Sequence, residues 1–113
     1  MSGVNMVLLI GNMGSKPEAR ETQSGEKVAR LRVATSITRN RDGAEVQETE
    51  WHDVVTFGKL AEQCEAYLDK GRQVYIEGRL QSHAWQDKDG NKRFTREVIA
   101  RRVDFLGQAK RAA

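Results

Sequence analysis

The sequence predicts an all-β domain built around two long hairpins and one helix. Two Asp-Gly pairs, Asp42-Gly43 and Asp89-Gly90, each lie between runs of alternating apolar and polar residues. Asp-Gly between such runs is a strong hairpin signal, because a tight two-residue turn needs positive φ at both central positions. The third observation is a single change of period. Leu60, Ala61, Cys64, Tyr67 and Leu68 follow helical spacing, and alternation resumes after them. Strands before and after that segment suit a five-stranded OB-fold Greek-key barrel, with the helix between strands 3 and 4 and long hairpins protruding from the body. A β-sandwich has no need of a central helix.

The elements follow in order. Val4–Asn12 is rich in β-formers and ends at a glycine, so it reads as the first strand. Its MVLLI stretch is apolar on both faces, which predicts a buried partner on each side, one of them another subunit; Val7 and Leu9 are the candidates for that contact. The segment MGSKPEA around Pro17, the only proline, reads as a loop. After Ser24-Gly25, a turn signal, a long strand places Ala29, Leu31, Val33, Thr35 and Ile37 on one face. Arg30, Arg32, Ser36 and Thr38 take the other face. Asp42-Gly43 turns this strand into the next, and the projecting tip carries Arg39 and Arg41. The helix then runs to Lys70, a basic last turn, with Gly71 as its cap. Two more strands, joined at Asp89-Gly90, complete the count.

The chain has 113 residues, enough for one compact domain. It is 38% hydrophobic and 31% charged, a globular balance. The net charge of +3 permits an anionic partner without demanding one. The single cysteine, Cys64, excludes an internal disulfide and a zinc cluster, and no cofactor or metal site is expected. No apolar run approaches the roughly 18 residues of a membrane helix. With no basic leader ahead of the first apolar run, an intracellular protein is the expectation.

The segment Thr49–Lys59 sharpens the picture. Trp51, Val55 and Phe57 fall on one side of the strand, and His52, Val54 and Thr56 on the other. The second set is small enough for a crowded barrel interior, which leaves the large rings outside. In the last hairpin, a two-residue turn would set Trp85 opposite Phe94, with Arg93 and Arg96 nearby. Aromatic platforms interleaved with cations suit single-stranded nucleic acid: bases stack on the rings and phosphates meet Arg and Lys. Burial of the rings in the core and plain solvation of the tip arginines are the competing readings. Asp53, Asp87 and Glu97 lie on separate strands without ligand or nucleophile–base spacing, so an enzyme is not expected.

Three segments, Gly3–Arg20, Thr49–Leu80 and Trp85–Val98, together resemble bacterial replication-type single-stranded DNA-binding proteins. The resemblance implies an OB-fold domain over residues 1–107. It also implies a homotetramer that binds and protects single-stranded DNA in replication, recombination and repair, in the bacterial cytoplasm on the nucleoid. It places stacking at Trp51, Phe57 and Trp85, basic contacts at Arg20, Lys59, Lys70 and Arg93, and a subunit interface at His52, to which Tyr75 is added as a candidate. The chain departs from the pattern in places. Arg39 stands where the family carries a third tryptophan, Gln81, His83 and Ala84 stand where basic residues are usual, and so does Asp53. Residues 108–113 form a short basic end where the family usually continues into a linker with an acidic tip, which puts tail-mediated recruitment of repair and replication enzymes in doubt for this chain. The alternative is a primosome-type OB-fold accessory protein, a homodimer serving mainly protein–protein assembly.

Overall fold

The computed structural model describes residues 3–107. The expected basic end at 108–113 lies outside the described residues. The chain forms β1 (Val7–Met13), β2 (Glu18–Glu21), β3 (Lys27–Arg41), β4 (Ala44–Phe57), α1 (Gly58–Tyr67), β5 (Gln73–Gln86) and β6 (Lys92–Leu106). β1 pairs with β3 and β5, β5 with β6, β6 with β4, and β4 with β3. Five strands therefore close into a barrel, as the sequence predicts. The β4–β6 contact is parallel, with Val55 opposite Ile99, and the other pairings are antiparallel.

β2 was not expected. It falls where the sequence reads as loop and turn, and it pairs with β3 alone, Ala19 opposite Ala29 and Arg20 opposite Val28. Its residues, Glu-Ala-Arg-Glu, show no apolar alternation: Ala19 alone is half-buried, on the side of buried Ala29, and the other three are exposed. The backbone ladder with β3 makes it a strand. Counted in chain order, it moves the helix to a place between the fourth and fifth strands.

Inside the barrel, Leu31, Val33, Val54, Val74 and Ile76 interdigitate with Cys64 and Leu68 at the helix end. Cys64 on the helix and Leu68 just beyond its end enter this core, and Leu60 packs against it. Burial pushes the Cys64 thiol up to about 11, so it stays neutral and behaves as a small apolar group. Thr56 satisfies its buried hydroxyl by donating to the Ala29 carbonyl at 2.9 Å. Two glycines let strands cross closely at the barrel corners. A Cβ on Gly78 would lie 2.2 Å from the Ile99 carbonyl oxygen, and one on Gly11 would lie 2.3 Å from that of Ala34. Beside Gly78 the β5–β6 register shifts, leaving Arg101 as the extra residue of a bulge, and its guanidinium pairs with Glu77.

The helix stops earlier than its spacing suggests. It ends at Tyr67, and Leu68 is already extended, its N–H on the Cys64 carbonyl. Leu68 is almost fully buried, and turning its side chain inward breaks the helix before Lys70 can reach the last turn. Gly71, at φ 88°, caps nothing; its N–H donates to the Met13 carbonyl at 2.8 Å and ties the turn to the end of β1.

β1 corrects another expectation. Val7 and Leu9 face the core and pack against it, while Leu8 and Ile10 point outward. Both faces are apolar, as the sequence shows, but the exposed face is that of the even-numbered residues.

Candidate nucleic-acid interface

The β3–β4 hairpin turns at Asp42-Gly43, with φ of 51° and 82° and Arg41 opposite Ala44. This two-residue turn fixes the register along the whole hairpin. Ala34 lies opposite Trp51, Arg32 opposite Asp53 and Val28 opposite Phe57. Cross-strand partners share a face, so Val28, Arg30, Arg32, Trp51 and Phe57 all look outward. Arg20, opposite Val28, extends this row beside Phe57. Lys59 stands exposed in the first turn of α1, two residues beyond Phe57.

The last hairpin does not follow the predicted arithmetic. Its loop has three residues, Lys88–Gly90, closed by Asp87 N–H donating to the Asn91 carbonyl at 3.0 Å. The cause is Asp87. One carboxylate oxygen accepts the N–H groups of Asp89 at 3.0 Å and Asn91 at 2.9 Å, and the other accepts Arg93 Nε at 2.9 Å. The Arg93 bond is the chief reason this carboxyl sits below its usual range. Gly90, at φ 81°, supplies the left-handed residue that such a loop needs. The register consequently slips by one. Trp85 lies opposite Arg93, and Phe94 lies opposite Ala84 on the other face. Trp85 and Phe94 are therefore not one station.

Trp85 instead joins the Trp51 surface. The parallel β4–β6 register puts Ile99, Glu97, Thr95 and Arg93 on the same side of the sheet as Val55, which is itself buried, and Trp85 Nε1 donates to Thr95 Oγ1 at 2.9 Å. Arg30 bridges the two halves through Glu97 at 3.3 Å. One continuous surface thus carries Trp51, Phe57 and Trp85, with Arg20, Arg30, Arg32 and Arg93 among them. The rings are 48%, 42% and 46% exposed, which rules out core burial as their role.

Two features that seat Trp51 escape a reading of single residues. The Arg32 guanidinium lies 5.1 Å from the ring centroid, a cation–π contact. On the loop side the indole rests on Gly14, where a Cβ would come within 2.3 Å of Cζ3 and 2.7 Å of Cη2. The alternation of β3 and the Asp42-Gly43 turn together contained the signal for Arg32; nothing local signals Gly14. A methyl group at Gly14 must displace the ring or the loop, at a cost of about 1–3 kcal/mol. For Gly14→Ala we expect a shifted indole emission in the free protein and strand binding weakened by about tenfold. Unchanged emission and affinity would show that Gly14 does not position the ring.

The remaining predicted residues lie apart from this surface or at its margin. Phe94 and Arg96 share the opposite face of the last hairpin, where Phe94 is 66% exposed with Lys92 Nζ 5.5 Å from its centroid. Arg39 and Arg41 point to the face of the first hairpin away from Trp51. Lys70 is exposed in the turn that Gly71 ties to Met13, next to the Gly14 corner. His52 is half-buried where the first hairpin leaves the barrel, its Nε2 2.9 Å from Thr35 Oγ1. Tyr75 lies opposite Ile10 on the outward β1 face and donates to Glu77 at 2.9 Å. Among the described residues no group of three or more His, Cys, Asp or Glu could hold a metal ion, and no helix is long and apolar enough to cross a membrane.

Residues 4–106 match the model of the single-strand binding protein family. The chain is 49% identical over 107 residues to single-stranded DNA-binding protein 1 of Chlorobaculum tepidum, covering 93% of this chain and 66% of that one. It is 44% identical over 110 residues to single-stranded DNA-binding protein 1 of Xylella fastidiosa, covering 96% of this chain and 81% of that one. The chain thus spans about two thirds of the first relative's length. Among solved structures it is similar to the Plasmodium falciparum single-stranded-DNA-binding protein in complex with single-stranded DNA, at TM-score 0.82 and 27% identity, covering 95% of this chain and 98% of that one. It is also similar to a deletion mutant of the Thermus aquaticus single-stranded DNA-binding protein, at TM-score 0.80 and 33% identity, covering 93% of this chain and 51% of that one.

Proposed function

The chain belongs to the single-strand binding protein family, and from that premise we propose that it binds and protects single-stranded DNA without sequence preference, as a non-catalytic module of replication, recombination and repair. The observation that carries this reading is the outward surface on which Trp51, Phe57 and Trp85 stand half-exposed among Arg20, Arg30, Arg32 and Arg93. Each base offers a π face to such rings, whatever its identity, so selection is for unpaired strands. In a duplex the bases are stacked on each other and only the phosphates remain to be held. Lys59 and Lys70 add cationic margin near Phe57 and the Gly14 corner.

The apolar outward face of β1, with Met6, Leu8 and Ile10 exposed beside Tyr75, supports a homo-oligomer, for which a tetramer is the expected state. His52 fits the same assembly by pinning the two hairpin strands at the barrel mouth through Thr35. The setting this reading implies is the bacterial cytoplasm, on nucleoid DNA.

The test is a titration of tryptophan fluorescence with a dT oligomer and with a duplex of equal length, at several salt concentrations. Strong quenching by the single strand, weak quenching by the duplex, and log affinity falling linearly with log salt are the expected results. Equal affinity for both forms would overturn the proposal.

A further inference from the structure

Glu48 occupies an unusual place on the first hairpin. It lies opposite Ile37 on the face turned away from Trp51, and its carboxylate holds both tip arginines, Arg39 Nε at 3.1 Å and Arg41 at 3.2 Å. Ile37 and Val46 stand exposed beside them, so this face mixes apolar side chains with two guanidiniums. That is the chemistry of a polynucleotide contact: apolar surface for a base, cations for phosphates. Yet the carboxylate is already where a phosphate would sit, and with it the trio carries one net positive charge instead of two. We propose that Glu48 is an internal counter-ion of this second hairpin face, a stand-in for phosphate that a bound strand must displace, and that it limits the affinity of the protein for single-stranded DNA.

The inference rests on the single-strand-binding reading above and deepens it. Its physics is that of exchange. The arginine side chains are 57% and 67% exposed and that of Glu48 38%, and ion pairs so open to solvent are weak, so displacement is easy. Displaced or not, the carboxylate stays within reach of the incoming phosphates and repels them. A cation already paired with a carboxylate also condenses fewer phosphate charges on binding, so the trio contributes less to the salt dependence than two free arginines would.

The experiment compares the full chain with Glu48→Gln, Glu45→Gln, and Glu48→Gln combined with Arg39→Ala and Arg41→Ala, each checked for an unchanged melting curve. Glu45 is the control because it removes the same charge from the same hairpin but lies opposite Asn40, on the other face, and makes no ion pair among the described residues. Binding to a dT oligomer is measured across a salt series. Glu48→Gln is expected to tighten binding by about 3- to 10-fold at low salt and to steepen the log–log salt slope by about 0.7, the value for one more phosphate neutralised on a single strand. The slope should be unchanged in Glu45→Gln and should fall back when both arginines are removed. Equal affinity and slope for Glu48→Gln and the unaltered protein, or equal gains from Glu48→Gln and Glu45→Gln, would overturn this inference while leaving strand binding intact. An unaltered protein that ignores single strands would overturn both.

Discussion

Trp51→Ala and Trp85→Ala are each expected to weaken binding of a dT oligomer by about 1–3 kcal/mol, or about 5- to 150-fold. The rings stand on different strands with different neighbours, Gly14 and Arg32 for Trp51, Thr95 for Trp85. The two losses should therefore add in the double variant. Both indoles are half-exposed, so the melting temperature should barely move, and a fall in affinity cannot be ascribed to unfolding. The salt slope should also stay, because removing a ring removes no charge. Phe94→Ala provides the contrast. Phe94 is the most exposed ring of the set, but it faces away from Trp85. A smaller loss at Phe94 than at Trp85 is expected in the same titration. If the double tryptophan variant binds as tightly as the parent, the stacking surface does not carry binding.

That contrast shows where the sequence was legible and where it was not. Asp42-Gly43 set the register of the first hairpin correctly, because nothing nearby competes with a two-residue turn. Asp89-Gly90 looked equivalent, but Asp87 draws two backbone N–H groups and Arg93 onto its carboxylate and lengthens the loop by one residue. One residue is enough to send Phe94 to the other face. The helix end was misplaced for a similar reason: capping chemistry favoured Gly71, but burial of Leu68 ended the helix first. β2 left no trace in the pattern because, of its four residues, only Ala19 is apolar, and pairing with β3 makes it a strand. The rings Trp51 and Phe57 were legible from alternation, since only one face of a strand can enter a barrel; Trp85 was read from the turn, which set it opposite Phe94, and from the family resemblance. Gly14 was not, because its contact with Trp51 is made across the chain. The parity of β1 was undecidable: with Val7, Leu8, Leu9 and Ile10 all apolar, no alternation marks the inner face.

The parity now observed makes a prediction of its own. Leu8→Asp combined with Ile10→Asp is expected to convert the assembly into a folded monomer of 12.8 kDa, seen by analytical ultracentrifugation at micromolar concentration. Leu8 and Ile10 are 56% and 58% exposed in the single chain, so aspartate there meets water in the monomer. In an assembly closed over this face, each carboxylate would be buried without a partner, at a cost of about 3–5 kcal/mol. That cost is incurred twice per subunit, once for each aspartate, and it exceeds what two exposed aliphatic side chains return on burial. Val7→Asp is the internal control. Val7 packs against the barrel core, so the same chemistry one residue earlier should lower the melting temperature instead of the mass alone. The dissociated variant should still quench on a short dT oligomer, because the rings of one subunit are intact. On a long strand it should lose more, because linked subunits raise each other's effective concentration on one polymer. Retention of the parent's mass by the double variant, or a monomeric parent, would remove β1 as the contact and leave its apolar outer face unexplained.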